Sequence, residues 1–558
     1  MRKSLALIAV ALLASVALSA CSGIPRAGSV QEGVAAGVAG NNDVQFLPSG
    51  PADGASPEDI LRGFVDAATS PADDWGIARK FLSADYRTKW QPSQRVIVDR
   101  GNRIVTSAAA GNYSLGVTQV AQVDEWGLYA AEADRDTKLE FALARENGQW
   151  RIASAPEGII LDSGLFPQVF AETQLFFYDA NFQRLVPDNR WFPARSSTTT
   201  RVVKSLLQGP AKWLAQSGGV VSAFTPGALL VADSVPVEGS TAVVNFDVKS
   251  LAANDVTLQR MLTQIGASLS SVPNVTRVRM VLSGARQLEA EVPAIASVLG
   301  NSFLAQPTVL ADRTFGGMSA ASNTTPQALS DRIASLRPSQ ISMSGARNEV
   351  ALLDGGQAAI VNMTGAVRII DKRPALAQPV IDTYGYVWSV PQLEPLAMTI
   401  TSATSDTVAL RVPWDHATKI EAVAVSPEGS RIVATYRTQV KNEACVASIL
   451  RNAANAPTAV GPCLLVALDS GDLGSAGWVD ASRVGVVLAS GSTSTIQTIR
   501  LGGLSSRSQV NARVRAITGA GPALLARILT EDGDVLQQVS SPRWYLVTTG
   551  VDALADVQ

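Results

Sequence analysis

Apolar positions in the first third of the chain repeat first at helical spacing and then in alternation. Behind Ser56-Pro57-Glu58-Asp59, apolar residues from Ile60 to Ala68 recur three and four positions apart, which predicts a helix with a capping residue at its start. From about Ile104 apolar and polar residues alternate, and Asn147-Gly148 predicts a tight hairpin turn between two strands. Helices followed by a meander of strands predict an α+β domain over residues 56–165.

The next part of the chain, residues 166–286, mixes both periods and predicts a second α+β domain. Helices are predicted over Thr200–Gln208, where Gly209-Pro210 ends the pattern, and over an amphipathic stretch from Leu258 to Val272. The predicted strands are Thr173–Asp179, Leu185–Pro187, Phe224–Val231, Val235–Val237, Thr241–Asp247 and Val275–Leu282.

The remaining residues, 287–558, contain short apolar runs separated by turns such as Asp354-Gly355. This pattern is typical of an all-β domain. Comparable strands centre near Val350, Val387, Ile432 and Val484. Intervals of roughly 40 to 50 residues favour the blades of a β-propeller, although their irregularity leaves a β-sandwich open. The predicted fold class is therefore a multidomain chain, with two α+β domains followed by an all-β domain for which a β-propeller is favoured.

The amino terminus has the order of an export signal. Arg2 and Lys3 precede an uncharged stretch, and Leu18-Ser19-Ala20-Cys21 closes the segment with small residues before a cysteine. We interpret residues 1–20 as a lipoprotein signal peptide and Cys21 as the site of diacylglyceryl and N-acyl (palmitate) attachment. Residues 21–55, rich in Gly, Ala, Ser and Asn, are interpreted as a flexible tether.

This interpretation predicts a protein anchored by lipid on the extracytoplasmic face of the cell membrane. The alternative is an ordinary signal peptide, which would leave an unpaired thiol at Cys21 in an oxidising compartment. The two other cysteines, Cys445 and Cys463, flank a polar segment, and export makes a disulfide between them reasonable. Two buried free thiols remain the alternative, and no Cys/His cluster indicates a zinc site.

The composition and motifs of the chain argue against two classes of function. With 46 basic and 48 acidic residues the chain carries a formal net charge of −2, which does not indicate a nucleic-acid-binding protein. The sequence has no phosphate-binding or dinucleotide-binding glycine motif, so we expect no nucleotide cofactor.

Five segments of residues 166–286 together resemble the GerMN domain, a module named from spore germination proteins. They are Leu175-Phe-Phe-Tyr178, Ser205-Leu-Leu-Gln-Gly-Pro210, Pro226-Gly227, Val243-Val-Asn-Phe-Asp247 and Pro273-Asn-Val-Thr-Arg-Val278. The first domain, which ends in Gly148-Gln-Trp-Arg-Ile152, is similar to the cone-shaped fold of nuclear-transport-factor-like domains.

A lipidation signal, an α+β unit, a GerMN unit and a propeller in this order resemble the LpqB lipoproteins of actinobacteria. Cys21-Ser-Gly-Ile-Pro25 fits this resemblance as well. The resemblance implies an accessory of an Mtr-type two-component system that contacts the extracytoplasmic domain of its sensor histidine kinase. The implied role is to influence envelope homeostasis and cell division.

The sequence contains few candidate catalytic residues. His416 is the single histidine, and Asp415 beside it is expected to point its side chain away, so the pair does not form a catalytic triad by itself. Asp382, Asp415 and Asp480 lie near predicted strand ends, where turn formation is favoured over a glycosidase carboxylate pair. We therefore predict a protein that is not an enzyme and has neither a catalytic nor a metal site.

Three functions remain open at this point. The first is the kinase accessory, and the second is an envelope glycan-binding protein or glycan hydrolase that uses a propeller carboxylate pair. The third is a purely structural envelope scaffold.

Overall fold

The computed structural model describes residues 48–108, 111–194, 197–247, 254–282, 286–299, 308–318, 325–346, 348–519, 526–540 and 542–557. These residues belong to one compact unit that starts at Pro48. The predicted signal peptide, Cys21 and most of the predicted tether lie outside the described residues. The last part of the predicted tether contacts the first domain, because the Gly54 amide donates to Gln149 Oε1 at 2.8 Å.

The first domain packs three helices against one five-stranded sheet. The helices are α1 (Pro57–Ala67), α2 (Ala72–Arg79) and α3 (Ala84–Arg87), and the strands are β1 (Arg95–Ser107), β2 (Asn112–Asp124), β3 (Tyr129–Glu146), β4 (Gln149–Ser154) and β5 (Ile159–Asp162). The strand order is β4-β3-β2-β1-β5, and β5 runs parallel to β1.

Both local predictions for this domain are confirmed. Ser56 caps α1 by accepting the Asp59 amide, and the Asp59 side chain accepts the Ser56 amide in return. Asn147 and Gly148 have φ values of 50° and 80° and join β3 to β4 in a two-residue turn, where Glu146 lies opposite Gln149. The domain interior is filled by aromatic side chains, and its cavity of about 10 Å³ holds at most one water molecule.

The second domain contains two sheets. Its helices are α4 (Phe166–Val169), α5 (Thr198–Gln208), α6 (Lys212–Ala215), α7 (Asp255–Leu269) and α8 (Ile295–Leu299). Its strands are β6 (Phe170–Asp179), β7 (Leu185–Pro193), β8 (Val220–Val221), β9 (Val237–Glu238), β10 (Thr241–Phe246), β11 (Arg277–Leu282) and β12 (Arg286–Glu291). The sheet orders are β7-β6-β8 and β12-β11-β10-β9, and α7 connects the parallel strands β10 and β11.

Two details of the predicted second domain are wrong. The segment Phe224–Val231 forms no strand and makes only an isolated bridge between Leu230 and Phe246, because Pro226-Gly227 turns the chain with Gly227 at φ 82°. The predicted boundary after residue 286 cuts through β12. Since every residue of β12 pairs with β11, the sheet of this domain continues to Glu291.

The third domain is a β-propeller, as predicted. Before the first complete blade come β13 (Thr308–Ala311), β14 (Thr314–Gly317) and α9 (Gln327–Leu336). The first two blades contain β15 (Ile341–Met343), β16 (Glu349–Asp354), β17 (Gln357–Asn362) and β18 (Val367–Asp371), then β19 (Val380–Ile381), β20 (Val387–Ser389), β21 (Thr399–Thr401) and β22 (Val408–Ala409).

The third blade contains β23 (Lys419–Val425), β24 (Arg431–Arg437), β25 (Asn442–Arg451) and β26 (Pro457–Val460), with β27 (Leu464–Ala467) as an additional strand. The fourth and fifth contain β28 (Asp472–Trp478), β29 (Arg483–Ser490), β30 (Thr493–Arg500) and β31 (Ser506–Val510), then β32 (Val514–Gly519), β33 (Ala526–Thr530), β34 (Val535–Ser540) and β35 (Arg543–Thr548). The last strand is β36 (Val551–Val557).

Within the described part of the chain the propeller closes as a ring of six inner strands. The strands β15, β19, β23, β28, β32 and β36 contact one another in this order, and β36 returns to β15. β36 also pairs with β13, so both ends of the domain build the sixth blade. The sandwich alternative is wrong, because no two stacked sheets produce such a ring.

The four strand centres predicted from the sequence occupy equivalent positions in successive blades. Val350, Val387, Ile432 and Val484 lie in β16, β20, β24 and β29, which are the second strands of four consecutive blades. Their unequal spacing reflects the different lengths of the loops and of the extra strand β27.

Candidate binding cleft between the three domains

A cleft with a volume of about 960 Å³ lies where the three domains meet. This volume is at the upper end of the range for ligand pockets, roughly 300–1,000 Å³. Residues from all three domains line it, among them Arg95, Tyr129, Asn189, Lys212, Trp213, Glu443, Leu465 and Gly502. The cleft is therefore formed only when the domains are assembled.

Strand β7 attaches the second domain to the propeller beside this cleft. The Asn189 side-chain amide donates to the Leu501 carbonyl at 2.8 Å, and the indole N–H of Trp191 donates to the Gly502 carbonyl at 2.8 Å. Gly502 has φ 69°, and a Cβ atom there would lie 2.9 Å from the Asn189 carbonyl oxygen. The close approach of the two backbones thus requires glycine.

The same strand also holds the first domain. The guanidinium of Arg190 donates to the Trp126 carbonyl at 3.2 Å and to Asp188 at 2.7 Å. The ring of Trp191 belongs to the core of the first domain, with its centroid 6.3 Å from that of Tyr129. One strand of the second domain therefore fixes the positions of both neighbours.

Further contacts join the second domain to the propeller away from β7. Asn181 donates to the Asn455 side chain at 2.8 Å, and the hydroxyls of Ser217 and Ser448 lie 2.7 Å apart. The ring of Trp213 packs against the core of the second domain and against the core between the third and fourth blades. These contacts give the cleft walls a defined spacing.

One wall of the cleft is the short strand β27. It pairs with residues 443–446 of β25, while β26 pairs with a later part of the same strand edge. Cys463 directly precedes β27 and forms a disulfide with Cys445, with an S–S distance of 2.06 Å. The two cysteines selected from the sequence therefore connect this wall covalently to the third blade.

Several polar groups of the cleft have no partner among the residues that the structure describes. Within the described residues, no hydrogen bond or ion pair engages the guanidinium of Arg95 or the ammonium of Lys212. Asn189 Oδ1 is buried and accepts no hydrogen bond there. Burial raises the pKa of Tyr129 to about 12, so this phenol stays protonated near neutral pH. Asp124 lies opposite Arg95 in the sheet and also lines the cleft.

His416 does not line the cleft and contacts it only through Glu443, which does. Its Nε2 is 2.8 Å from Glu443 Oε2, and the other carboxylate oxygen of Glu443 contacts Lys441 at 2.8 Å. The prediction that Asp415 points away is wrong, because its Oδ1 lies 3.3 Å from His416 Nδ1. The pair lies in a turn, where neighbouring side chains do not alternate as in a strand. Among described residues, its contacts include neither a Ser nor a Cys nucleophile.

The electrostatics of this group are set by Glu443. Its hydrogen bond raises the pKa of His416 above the ordinary value of 6.5, although burial of the ring opposes this. Burial by itself raises the pKa of Glu443, but Lys441 and His416 outweigh it and lower that pKa overall. The folded protein therefore holds the proton of this imidazole more tightly than a free histidine does.

We expect the single histidine to titrate with a midpoint above 6.5, because Glu443 stabilises its charged form. Its contribution to stability is complete below the unfolded-state pKa and is lost as pH rises through the higher folded-state pKa. NMR titration of the one imidazole measures this midpoint directly. Glu443→Gln is expected to lower it more than Asp415→Asn does, and a wild-type midpoint of 6.5 or below would contradict the assignment.

The other candidate carboxylates form turns, as favoured from the sequence. Asp382 Oδ1 accepts the amides of Tyr384 and Tyr386 at 2.9 and 3.0 Å. Asp480 Oδ1 accepts the Ser482 amide at 2.7 Å, and Oδ2 contacts Arg483 at 2.7 Å. Neither side chain is among those lining the cleft, so the structure does not assemble these residues into a carboxylate pair there.

Sequence reasoning missed the residues that build the cleft. It ended the strand at Pro187 and gave no role to Asp188-Asn189-Arg190, whose polar character is typical of a loop. A polar run followed directly by Trp191-Phe192 was the available signal, since such aromatic residues are commonly buried.

Three family models match consecutive parts of the chain. "Lipoprotein LpqB, N-terminal domain" matches residues 50–167, "Sporulation and spore germination" matches 174–288, and "Lipoprotein LpqB beta-propeller domain" matches 316–555. None of these descriptions names an enzyme.

Curated relatives include lipoprotein LpqB of Cutibacterium acnes, 27% identical over 278 residues that cover 50% of this chain and 46% of the relative. Lipoprotein LpqB of Thermobifida fusca is 28% identical over 297 residues, which cover 50% of this chain and 46% of that protein. The matched region spans about half the length of these relatives.

Among solved structures, a nidogen/laminin complex is similar with a TM-score of 0.33 and 8% identity, covering 45% of this chain and 96% of that one. The tandem GerMN domains of the sporulation protein GerM from Bacillus subtilis give a TM-score of 0.17 and 16% identity, covering 21% of this chain and 40% of theirs. None of the helices that the structure describes is long and apolar enough to cross a bilayer.

Proposed function

The chain belongs to the LpqB family of lipoproteins, and on this premise we propose that it is a non-enzymatic accessory of an Mtr-type two-component sensor kinase. In this role it binds the extracytoplasmic domain of the kinase and thereby influences envelope homeostasis and cell division. A lipid on Cys21 holds it on the outer face of the cytoplasmic membrane.

The observation that carries the proposal is the cleft at the junction of the three domains. Its walls are fixed by hydrogen bonds from β7 to both neighbouring domains, and it presents charged and neutral polar groups that no described residue engages. Such a preformed surface suits binding, because little conformational entropy is lost when a partner enters. The candidate carboxylates Asp382 and Asp480 are already engaged in turns, which argues against the hydrolase alternative.

The proposal predicts saturable capture of the kinase extracytoplasmic domain by the full-length protein in detergent. The measurement is surface-based binding with the kinase domain in solution, and the extracytoplasmic domain of an unrelated sensor kinase is the control. We expect a dissociation constant in the micromolar range or tighter for the cognate domain only. Equal or absent binding of both domains would contradict the proposal and transfer support to the glycan-binding alternative.

A further inference from the structure

We infer that the cleft binds an extended segment of the partner protein by strand addition to the free edge of β27, and that Arg95 and Lys212 hold a carboxylate of that segment. This inference rests on the proposed function and states where the partner is bound. The bound segment is a short apolar polypeptide stretch that carries an Asp or Glu side chain.

The residues that line the cleft show that it runs along the edge of β27 and not over one of its faces. All four residues from Leu464 to Ala467 line it. Successive side chains of a strand point to opposite faces, so a cavity on one face would contact only alternate residues. A cavity lined by four consecutive residues therefore runs along the edge of the strand, where the backbone N–H and C=O groups are found.

Most of that edge is available for pairing. β27 pairs with β25 on one side, and within the described residues no other strand pairs with it. At its carboxyl end the Gln497 side chain donates to the Ala467 carbonyl at 3.2 Å, so the free part of the edge is centred on Leu465. An unpaired edge offers a row of backbone donors and acceptors, which is the basis of peptide recognition by strand addition. At about 3.3 Å per residue, the three residues before Ala467 offer roughly 10 Å of edge.

The side chains of β27 suit an apolar segment. Proteins commonly protect an edge strand with charged residues or proline, but Leu464-Leu-Val-Ala467 has neither. Leu465 is 51% exposed although it is a large apolar residue. The location of this strand inside a cleft keeps a second folded sheet away and still admits a single extended chain.

The disulfide gives this acceptor strand a fixed position. Four residues of pairing hold a strand only weakly, and β27 shares the edge of β25 with β26. The disulfide joins Cys463, which directly precedes β27, to Cys445 of β25. Because Cys445 also lies opposite Leu465, the bond holds the start of β27 against β25. The strand is thus ordered before a partner arrives, which reduces the entropy cost of binding.

Two basic residues of the cleft form the second part of the proposed contact with the partner segment. Arg95 comes from the first domain and Lys212 from the second, and both line the cleft without an ion-pair partner among the described residues. A carboxylate entering the cleft gains charge-assisted hydrogen bonds from these groups, which are stronger than neutral ones. A polypeptide pairs its own backbone in register with the strand edge, which a saccharide does not do, so we favour a polypeptide.

The first test uses matched variants of the full-length protein in kinase-domain binding. Leu465→Asp is expected to weaken binding at least about tenfold, because it introduces a charge beside the acceptor edge. Val408→Asp is its control, since Val408 is 54% exposed on the outer strand of another blade and does not line the cleft. Lys212→Glu is likewise expected to weaken binding, whereas Lys138→Glu on the exposed surface of β3 is not.

The second test is hydrogen exchange of the wild-type protein with and without saturating kinase domain. Strand addition predicts slower exchange of amides in residues 464–467, a readout that does not depend on any variant folding. Unchanged exchange there, or binding that Leu465→Asp and Val408→Asp affect equally, would overturn the inference while leaving kinase binding itself intact. Absent binding by the wild-type protein would instead overturn the proposed function and this inference together. Protection of β27 by soluble wall-glycan fragments would assign the cleft to saccharides and reject the polypeptide.

Discussion

Replacing Asp382 with Ala is expected to destabilise the propeller by about 3–5 kcal/mol, the usual cost of removing one partner of a buried ion pair. The Asp382 side chain is fully buried, and the Arg451 side chain beside it is 5% exposed. Loss of the carboxylate leaves the Arg451 charge buried without its main counter-ion, and this uncompensated charge accounts for most of the destabilisation.

The other bonds of Asp382 add to the effect. Oδ2 accepts both Arg451 Nη2 at 2.6 Å and the indole N–H of Trp388 at 3.1 Å. Oδ1 accepts the amides of Tyr384 and Tyr386, so the carboxylate also shapes the turn between β19 and β20. Arg451 belongs to the next blade, and the substitution therefore weakens the contact between two blades as well as one turn.

Thermal unfolding followed by circular dichroism measures this effect. A loss of 3–5 kcal/mol corresponds to a fall of about 10 °C in the melting temperature, at roughly 2–4 °C per kcal/mol for a domain of this size. Asp415→Ala is the matched control, because that carboxylate is 86% exposed and its removal is expected to change stability by less than about 0.5 kcal/mol. Equal melting temperatures for the two variants would show that the buried pair contributes little.

Replacing Cys21 with Ser is expected to move the protein from the membrane fraction to the medium or the soluble envelope fraction. A serine hydroxyl does not accept the diacylglyceryl group, so the two acyl chains of that group are lost. Since each buried methylene contributes about 0.8 kcal/mol, the two acyl chains of a diacylglyceryl group hold a protein firmly at a membrane where one chain holds it marginally.

Cell fractionation followed by immunoblotting measures the distribution, and metabolic labelling with a fatty acid reports the modification itself. Ser22→Ala is a suitable control, since it alters the neighbouring residue and leaves the acceptor thiol in place. Recovery of the Cys21→Ser variant in the membrane fraction would contradict the lipid anchor. Labelling of that variant would show that acylation occurs elsewhere.

Local patterns were sufficient where one short segment determines its own structure. The capped helix after Ser56 and the turn at Asn147-Gly148 form as predicted, because their hydrogen bonds and φ values involve only neighbouring residues. The blade pattern was recognised for a related reason. Each blade repeats the same order of apolar strands, so equivalent positions such as Val387 and Ile432 recur whatever the loops do.

Prediction failed where a turn interrupts an apolar run and where hydrogen-bond partners lie far away in the sequence. The segment Phe224–Val231 is apolar enough for a strand, but Pro226-Gly227 prevents continuous pairing with β10. Conversely, Asp188-Asn189-Arg190 has the polar sequence of a loop, because polar side chains are buried in a strand only where they find hydrogen-bond partners. Those partners, including the carbonyls of Trp126 and Leu501, are supplied by two other domains.

The sequence by itself determined the order of the domains, the local turns and caps, the repeating strands of the propeller and the resemblance to a lipoprotein family. Only the tertiary structure decided the closure of the propeller through β36, the joining role of β7 and the existence of the cleft. The physical reason is that periodicity and capping are properties of neighbouring residues. A cleft is the space left between surfaces whose distance is set by contacts such as that of Trp191 with Gly502, hundreds of residues apart.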